Sequence, residues 1–124
     1  MERLRKICVA LPGAHEEPAW VGTRWKAGGK TFVHVLPVVG GRPAAYARAC
    51  GSDDAVVLTF RSAVPLKPPY FRAVWGTKWG PQVYGLELGG RVDWKKLAKL
   101  LAESHRLMAT PRGATRSRSA RSRR

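Results

Sequence analysis

A chain of 124 residues, 44% of them hydrophobic, is long enough to bury one core and too short for two independent ones. Its formal net charge of +15 favours a polyanionic partner, nucleic acid ahead of a membrane surface. The two cysteines, Cys8 and Cys50, have no paired spacing that would suggest a disulfide framework or a zinc site, and no run reaches the roughly 18 apolar residues of a membrane span.

The charge has two sources. Residues 1–110 hold 17 of the 23 Lys/Arg and all 8 Asp/Glu, leaving +9, and residues 111–124 add six arginines and no acid. The reading is one globular domain over 1–110 followed by a disordered Arg/Ser-rich basic tail over 111–124. Such a tail has too few apolar groups to offset its ordering entropy. Nothing at the start resembles a signal peptide, because the apolar residues of MERLRKICVALPG are periodic rather than continuous, so a cytoplasmic protein is expected.

Leu4, Ile7, Cys8 and Leu11 fall at i, i+3, i+4 and i+7, which predicts a helix with one buried face, ended by Pro12-Gly13. Cys8 lies in that stripe and reads as a packed thiol. His15, Glu16, Glu17 and Pro18 read as a polar loop, with the two neighbouring carboxylates pointing apart rather than forming an acid/base pair. Trp20 reads as a core or sheet-packing residue, not as a stacking platform.

Thr23 to Leu36 reads as a hairpin over Gly28-Gly29, since a type I′ turn needs positive φ at both central positions. Counting outward places Lys26 opposite Thr31, Trp25 opposite Phe32, Arg24 opposite Val33 and Thr23 opposite His34. Trp25, Phe32 and His34 would share one face, and Arg24, Lys26, Thr31 and Val33 the other. His34 reads as a hydrogen-bonded core or boundary residue, with no orienting acid beside it to suggest catalysis.

Ala44 to Cys50 suits a helical turn. In the strand AVVLTFR, Val56, Leu58 and Phe60 alternate with Val57, Thr59 and Arg61, so Arg61 is expected to point out with Thr59. Val64 to Pro81 contains four prolines and reads as a structured loop with a turn around Tyr70 to Val74. Its aromatics interleaved with Arg72 and Lys78 could make stacking and charge contacts, or Trp75 and Trp79 could simply pin the loop down. Gln82 to Leu88 reads as a strand. Asp93 then caps a second amphipathic helix carrying Trp94, Leu97, Leu101 and Met108, which should cover the same sheet as the first.

Taken in order, LRKICVALPGAHEEPAW, GTRWKAGGKTFVHV, VVLTFR, PPYFRAVWG with WGPQVYGLEL, and VDWKKLAKLLAESHRLMA closely resemble the MmcQ/YjbR family over about residues 3–109. The resemblance implies an α+β fold, a curved antiparallel sheet packed against an N-terminal and a C-terminal amphipathic helix, similar in outline to frataxin-like proteins. It also implies a double-wing DNA-binding function rather than catalysis. The chain departs from the family pattern at Ser62 to Pro68, where a helix of two or three turns is replaced by a short proline-broken stretch. It also has only Arg112, after Pro111, where the family tends to carry a lysine pair.

Together these readings give a DNA-binding accessory or regulatory protein without cofactor or metal. The hairpin carrying Arg24, Lys26 and Lys30 and the loop carrying Arg72, Lys78 and Trp79 would meet phosphates, with Arg61 beside them and Arg116, Arg118 and Arg121 of the tail adding capture. The alternative is a protein-interaction adaptor that docks through the tryptophan-rich loop. An enzyme has least support, for lack of a Gly-rich phosphate loop, a nucleophile elbow or metal-ligand spacing.

Overall fold

The computed structural model describes residues 2–73, 82–89 and 92–109. In chain order the elements are α1 (Glu2–Val9), β1 (His15–Pro18), β2 (Thr23–Ala27), β3 (Lys30–Val38), α2 (Ala44–Cys50), β4 (Ala55–Ser62), β5 (Phe71–Arg72), β6 (Gln82–Glu87) and α3 (Trp94–Ala109). The six strands form one open sheet in the order β1-β2-β3-β4-β6-β5, with every neighbouring pair antiparallel. This is an α+β fold with a helix at each end of the described chain.

Both faces of the sheet are used. On one, Leu4 and Cys8 of α1 and Leu97 and Leu101 of α3 meet Trp25, Phe32, Val33, Val35, Leu58, Phe60, Tyr84 and Leu86, forming the main core. The stripes read from the sequence therefore cover the same face. Asp93 Oδ1 accepts the Lys96 N–H at 3.1 Å, satisfying one of the free donors at the start of α3. On the other face the short α2 covers Leu36, Val38 and Val57 with Ala47 in a smaller cluster that stops partway along the sheet.

Two expected loops contain strands. His15–Pro18 pairs with Thr23–Ala27, so the acidic segment is an edge strand rather than a loop. Phe71–Arg72 pairs with β6, in place of the expected turn, and the Phe71 ring occupies the space beside Gly85, where a Cβ would lie 2.4 Å from its Cζ. No helix occurs within residues 62–68, in keeping with the proline-broken stretch there.

The β2–β3 register differs from simple counting. Gly28 and Gly29 have φ of 61° and 79°, as the tight turn requires, and Lys26 faces Thr31. The next pair is Trp25 with Val33, then Arg24 with His34, so Phe32 is an extra residue forming a β-bulge. Phe32 and Val33 both enter the main core, and His34 turns to the face that carries Arg24. The bulge therefore removes His34 from the Trp25 side where alternation placed it.

Candidate nucleic-acid interface

The part of the sheet that α2 leaves uncovered is polar, with three Lys/Arg side chains against one carboxylate. Alternation from the observed register puts His15 and Glu17 of β1, Arg24 and Lys26 of β2, Thr31 and His34 of β3, and Thr59 and Arg61 of β4 on this face. Thr31, His34, Thr59, Arg61 and Val83 line a shallow depression across it. Three of the expected contact residues, Arg24, Lys26 and Arg61, are thus brought to one side of one sheet.

Glu17 sits among them. Its carboxylate accepts from Arg24 Nη2 at 3.0 Å and lies 3.7 Å from Lys26 Nζ and 3.8 Å from His15 Nε2. The hydrogen bond from Arg24, followed by the charges of Lys26 and Arg24, holds the Glu17 carboxyl below its ordinary range. Arg24 Nε is buried without a hydrogen-bond partner among the described residues, so its guanidinium is only partly satisfied by Glu17. Arg61 is half-buried rather than pointing out, and desolvation lowers its pKa. Thr59, expected to be half-exposed beside it, is buried.

Glu16 points the other way, as neighbouring residues of a strand must. It accepts from Arg5 Nε at 2.8 Å and from Trp25 Nε1 at 3.1 Å, joining α1 to the sheet. The Arg5 hydrogen bond is the main reason that its carboxyl is also held low. Cys8, packed beneath, is fully buried, and its thiol is pushed up to about 12 by desolvation and then by the Glu16 charge.

Of the remaining expected contact residues, the two that the structure describes do not join this face. Lys30 faces Ala27 at the hairpin turn, on the alternate that belongs to the main-core side, and is exposed. Arg72, at the far edge, faces Tyr84 and donates from Nη2 to Gln82 Oε1 at 3.0 Å. Lys78, Trp79, Arg116, Arg118 and Arg121 lie outside the described residues, as do Trp75 and the expected tail. The hairpin itself is held between β1 and β4, and a Cβ on Gly28 would lie 3.4 Å from the Ala109 carbonyl oxygen at the end of α3. Along this hairpin, a ligand on the α2 side would meet side chains.

Sequence reasoning missed Trp20, which is 96% exposed rather than packed. It also missed the partners of His34, whose Nε2 donates to the Val21 carbonyl at 2.7 Å and whose ring meets Tyr46 edge-on at 6.1 Å. A lone tryptophan in a short link between strands carries no signal of its direction. Among the described residues, no group of three or more His, Cys, Asp or Glu could hold a metal ion, and no helix is long and apolar enough to cross a membrane.

The family model for YjbR matches residues 9–107. The chain belongs to the YjbR family. The match takes in all six strands, α2 and most of α3, so the residues of the cationic sheet face lie wholly inside the matched region. No curated protein and no solved structure matches the chain.

Proposed function

We propose that this YjbR-family chain is a DNA-binding accessory or regulatory protein that works mainly through phosphate contacts. The observation that carries this reading is the alignment of Arg24, Lys26 and Arg61 on the sheet face beyond α2, in a region that already has a positive balance before the tail is counted. Phosphate contact needs cations at repeated spacing and no base code. In this reading the sheet face carrying Arg24, Lys26 and Arg61 makes the main phosphate contacts, with the Arg-rich tail adding non-specific capture.

Fluorescence anisotropy with a labelled duplex, over 50–200 mM salt, tests the reading on the full chain and on a chain ending at Thr110. The expectation is steep salt dependence in both, with the double substitution Arg24→Gln, Lys26→Gln reducing the salt slope by about 2. Loss of all binding on removing residues 111–124 would assign DNA affinity to the tail alone. Binding to a protein partner that barely responds to salt would favour the adaptor reading instead.

A further inference from the structure

The link between β1 and β2 is a tight turn in which the Ala19 N–H donates to the Gly22 carbonyl at 3.0 Å, with Trp20 and Val21 at its tip. The two tip residues are treated differently. Val21 packs into the smaller cluster and its carbonyl accepts from His34, so the turn is anchored to the sheet. Gly22 fixes it further: its φ is +82°, and a Cβ there would come within 2.0 Å of the Val35 carbonyl oxygen. Trp20 is left with its indole in solvent on a rigid support.

This indole borders two concave regions. One is an apolar groove of about 680 Å³, lined by Pro37, Val39 and Pro43 together with Arg42. Val39 is itself 66% exposed, so the groove is an open apolar surface. The other is a cavity of about 230 Å³ that reaches Arg24, Thr31, His34 and Tyr46. The exposed ring therefore lines both an apolar groove that Arg42 also lines and a cavity that reaches Arg24 of the cationic sheet face. Arg42 forms no ion pair among the described residues, and the nearby Asp54 carboxylate is engaged with the Gly40 N–H at 3.1 Å.

We propose that Trp20 is a base-stacking platform for single-stranded DNA, with one unpaired base on the indole over the Pro37/Val39/Pro43 groove and its flanking phosphates on Arg42 and Arg24. The proposal rests on the phosphate-binding reading above and deepens it by naming the form of the DNA. Charge complementarity selects this occupant: a flat apolar ring whose two adjoining hollows each carry an arginine matches a chain of bases and phosphates. A duplex would leave the indole unused, because its bases are stacked on one another.

The test compares a fluorescein-labelled 12-nucleotide oligo-dT strand, a 12-base-pair duplex, the same strand carrying abasic sites, and oligo-rU, using the full-length protein at 50 and 150 mM salt. Expected is tighter binding of the dT strand than of the abasic strand, loss of about tenfold or more in dT affinity for Trp20→Ala, retention of most of it for Trp20→Phe, and unchanged duplex affinity. Near-ultraviolet circular dichroism and the unfolding midpoint confirm that the variants are folded. Equal binding of dT and abasic strands, or wild-type dT affinity in folded Trp20→Ala, would overturn stacking while leaving the phosphate reading intact. A preference for oligo-rU would overturn DNA as the occupant, and a change in sedimentation of Trp20→Ala without loss of dT affinity would assign the groove to a second copy of the chain. No binding of any oligonucleotide at 50 mM salt would remove the phosphate reading itself.

Discussion

The Ser104 hydroxyl donates to the Phe32 carbonyl at 2.7 Å and accepts the Arg61 N–H at 2.9 Å, so one side chain of α3 completes the hydrogen bonding where the bulge separates β3 from β4. Ser104 is fully buried, and it is the reason that an extra residue in β3 leaves neither backbone group orphaned. Ser104→Ala should destabilise the domain by about 1–3 kcal/mol, the range for leaving buried polar groups unpaired. A domain of this size would then melt about 4–8 °C lower for each kcal/mol. An unchanged denaturation midpoint for Ser104→Ala would mean that water or a shifted strand replaces the hydroxyl.

Gly22→Ala should be at least as harmful. The left-handed φ of +82° costs a non-glycine residue about 1–3 kcal/mol. The obstruction is the Val35 carbonyl, a backbone group in the middle of the sheet, so the turn must move instead. The expected result is a lower unfolding midpoint together with an altered near-ultraviolet signal. A variant as stable as the parent would show that the turn can relax without strain.

Cys8 and Cys50 should separate cleanly by reactivity. Cys8 is buried with its thiol pushed up to about 12, whereas Cys50 is half-buried on α2 with its thiol 3.7 Å from the Ala47 carbonyl and 3.6 Å from that of Ser52. A colorimetric thiol reagent at pH 8 should label one cysteine in the native protein, identified as Cys50 by peptide mapping, and a second only in denaturant. The raised value also makes stability pH-dependent. Below the ordinary thiol value of 9.0 the contribution to stability is fully present, and it is lost as pH rises toward 12 because only the unfolded thiol ionises. Cys8→Ala should therefore reduce the alkaline decline in the urea midpoint.

Much of this architecture is readable from side-chain periodicity. The stripe Leu4, Ile7, Cys8 and Leu11, the Asp93 cap and the alternation of Tyr84 and Leu86 each reflect a local rule that tertiary packing preserves. The register of β2 against β3 is different. Turn geometry fixes the pairs next to Gly28-Gly29, but nothing local says that Phe32 will bulge, because its stabilising partner, Ser104, is 72 positions away. The adjacent apolar pair Phe32-Val33 is the one trace of it, and it also suits a strand buried on both faces. His34 departs from simple alternation for that reason alone. Trp20 failed differently: hydrophobicity argues for burial, and only the three-dimensional turn shows that Val21 takes the inward position. The clustering of Arg24, Lys26 and Arg61 depends on strand order, whereas Arg72 falls on the opposite alternate, a distinction that charge counting misses.

Acid should weaken the β1 attachment. Glu16 and Glu17 are both held below the ordinary carboxyl value of 4.5, chiefly by hydrogen bonds from Arg5 and Arg24 respectively. A depressed carboxyl contributes stability that is present above its unfolded value and lost as pH falls through the folded one. The urea midpoint should accordingly decline below about pH 4.5, with a shallower decline in Glu16→Gln. Both pairs are solvent-accessible, so the effect is small and salt-sensitive. An acid limb unaltered by Glu16→Gln would place its origin in other carboxylates.

Glu17→Gln offers the sharpest separation of stability from binding. Among the described residues Glu17 is the one carboxylate paired with Arg24, Lys26 and His15, so it partly neutralises the surface assigned to phosphate. Removing its charge should reduce stability only slightly, because an accessible ion pair is screened by solvent. It should at the same time tighten DNA binding, since Arg24 and Lys26 no longer have to exchange a carboxylate for a phosphate. The steepness of the salt dependence is the decisive measurement: it should increase in Glu17→Gln, by up to one counterion for each cation released to phosphate. Glu103→Gln serves as the control. That carboxylate pairs with Arg106 on the exposed side of α3, far from this face, and its removal should change overall charge by the same amount without altering the slope. Equal gains in affinity from the two substitutions would mean that net charge, and not the Arg24/Lys26 surface, governs binding.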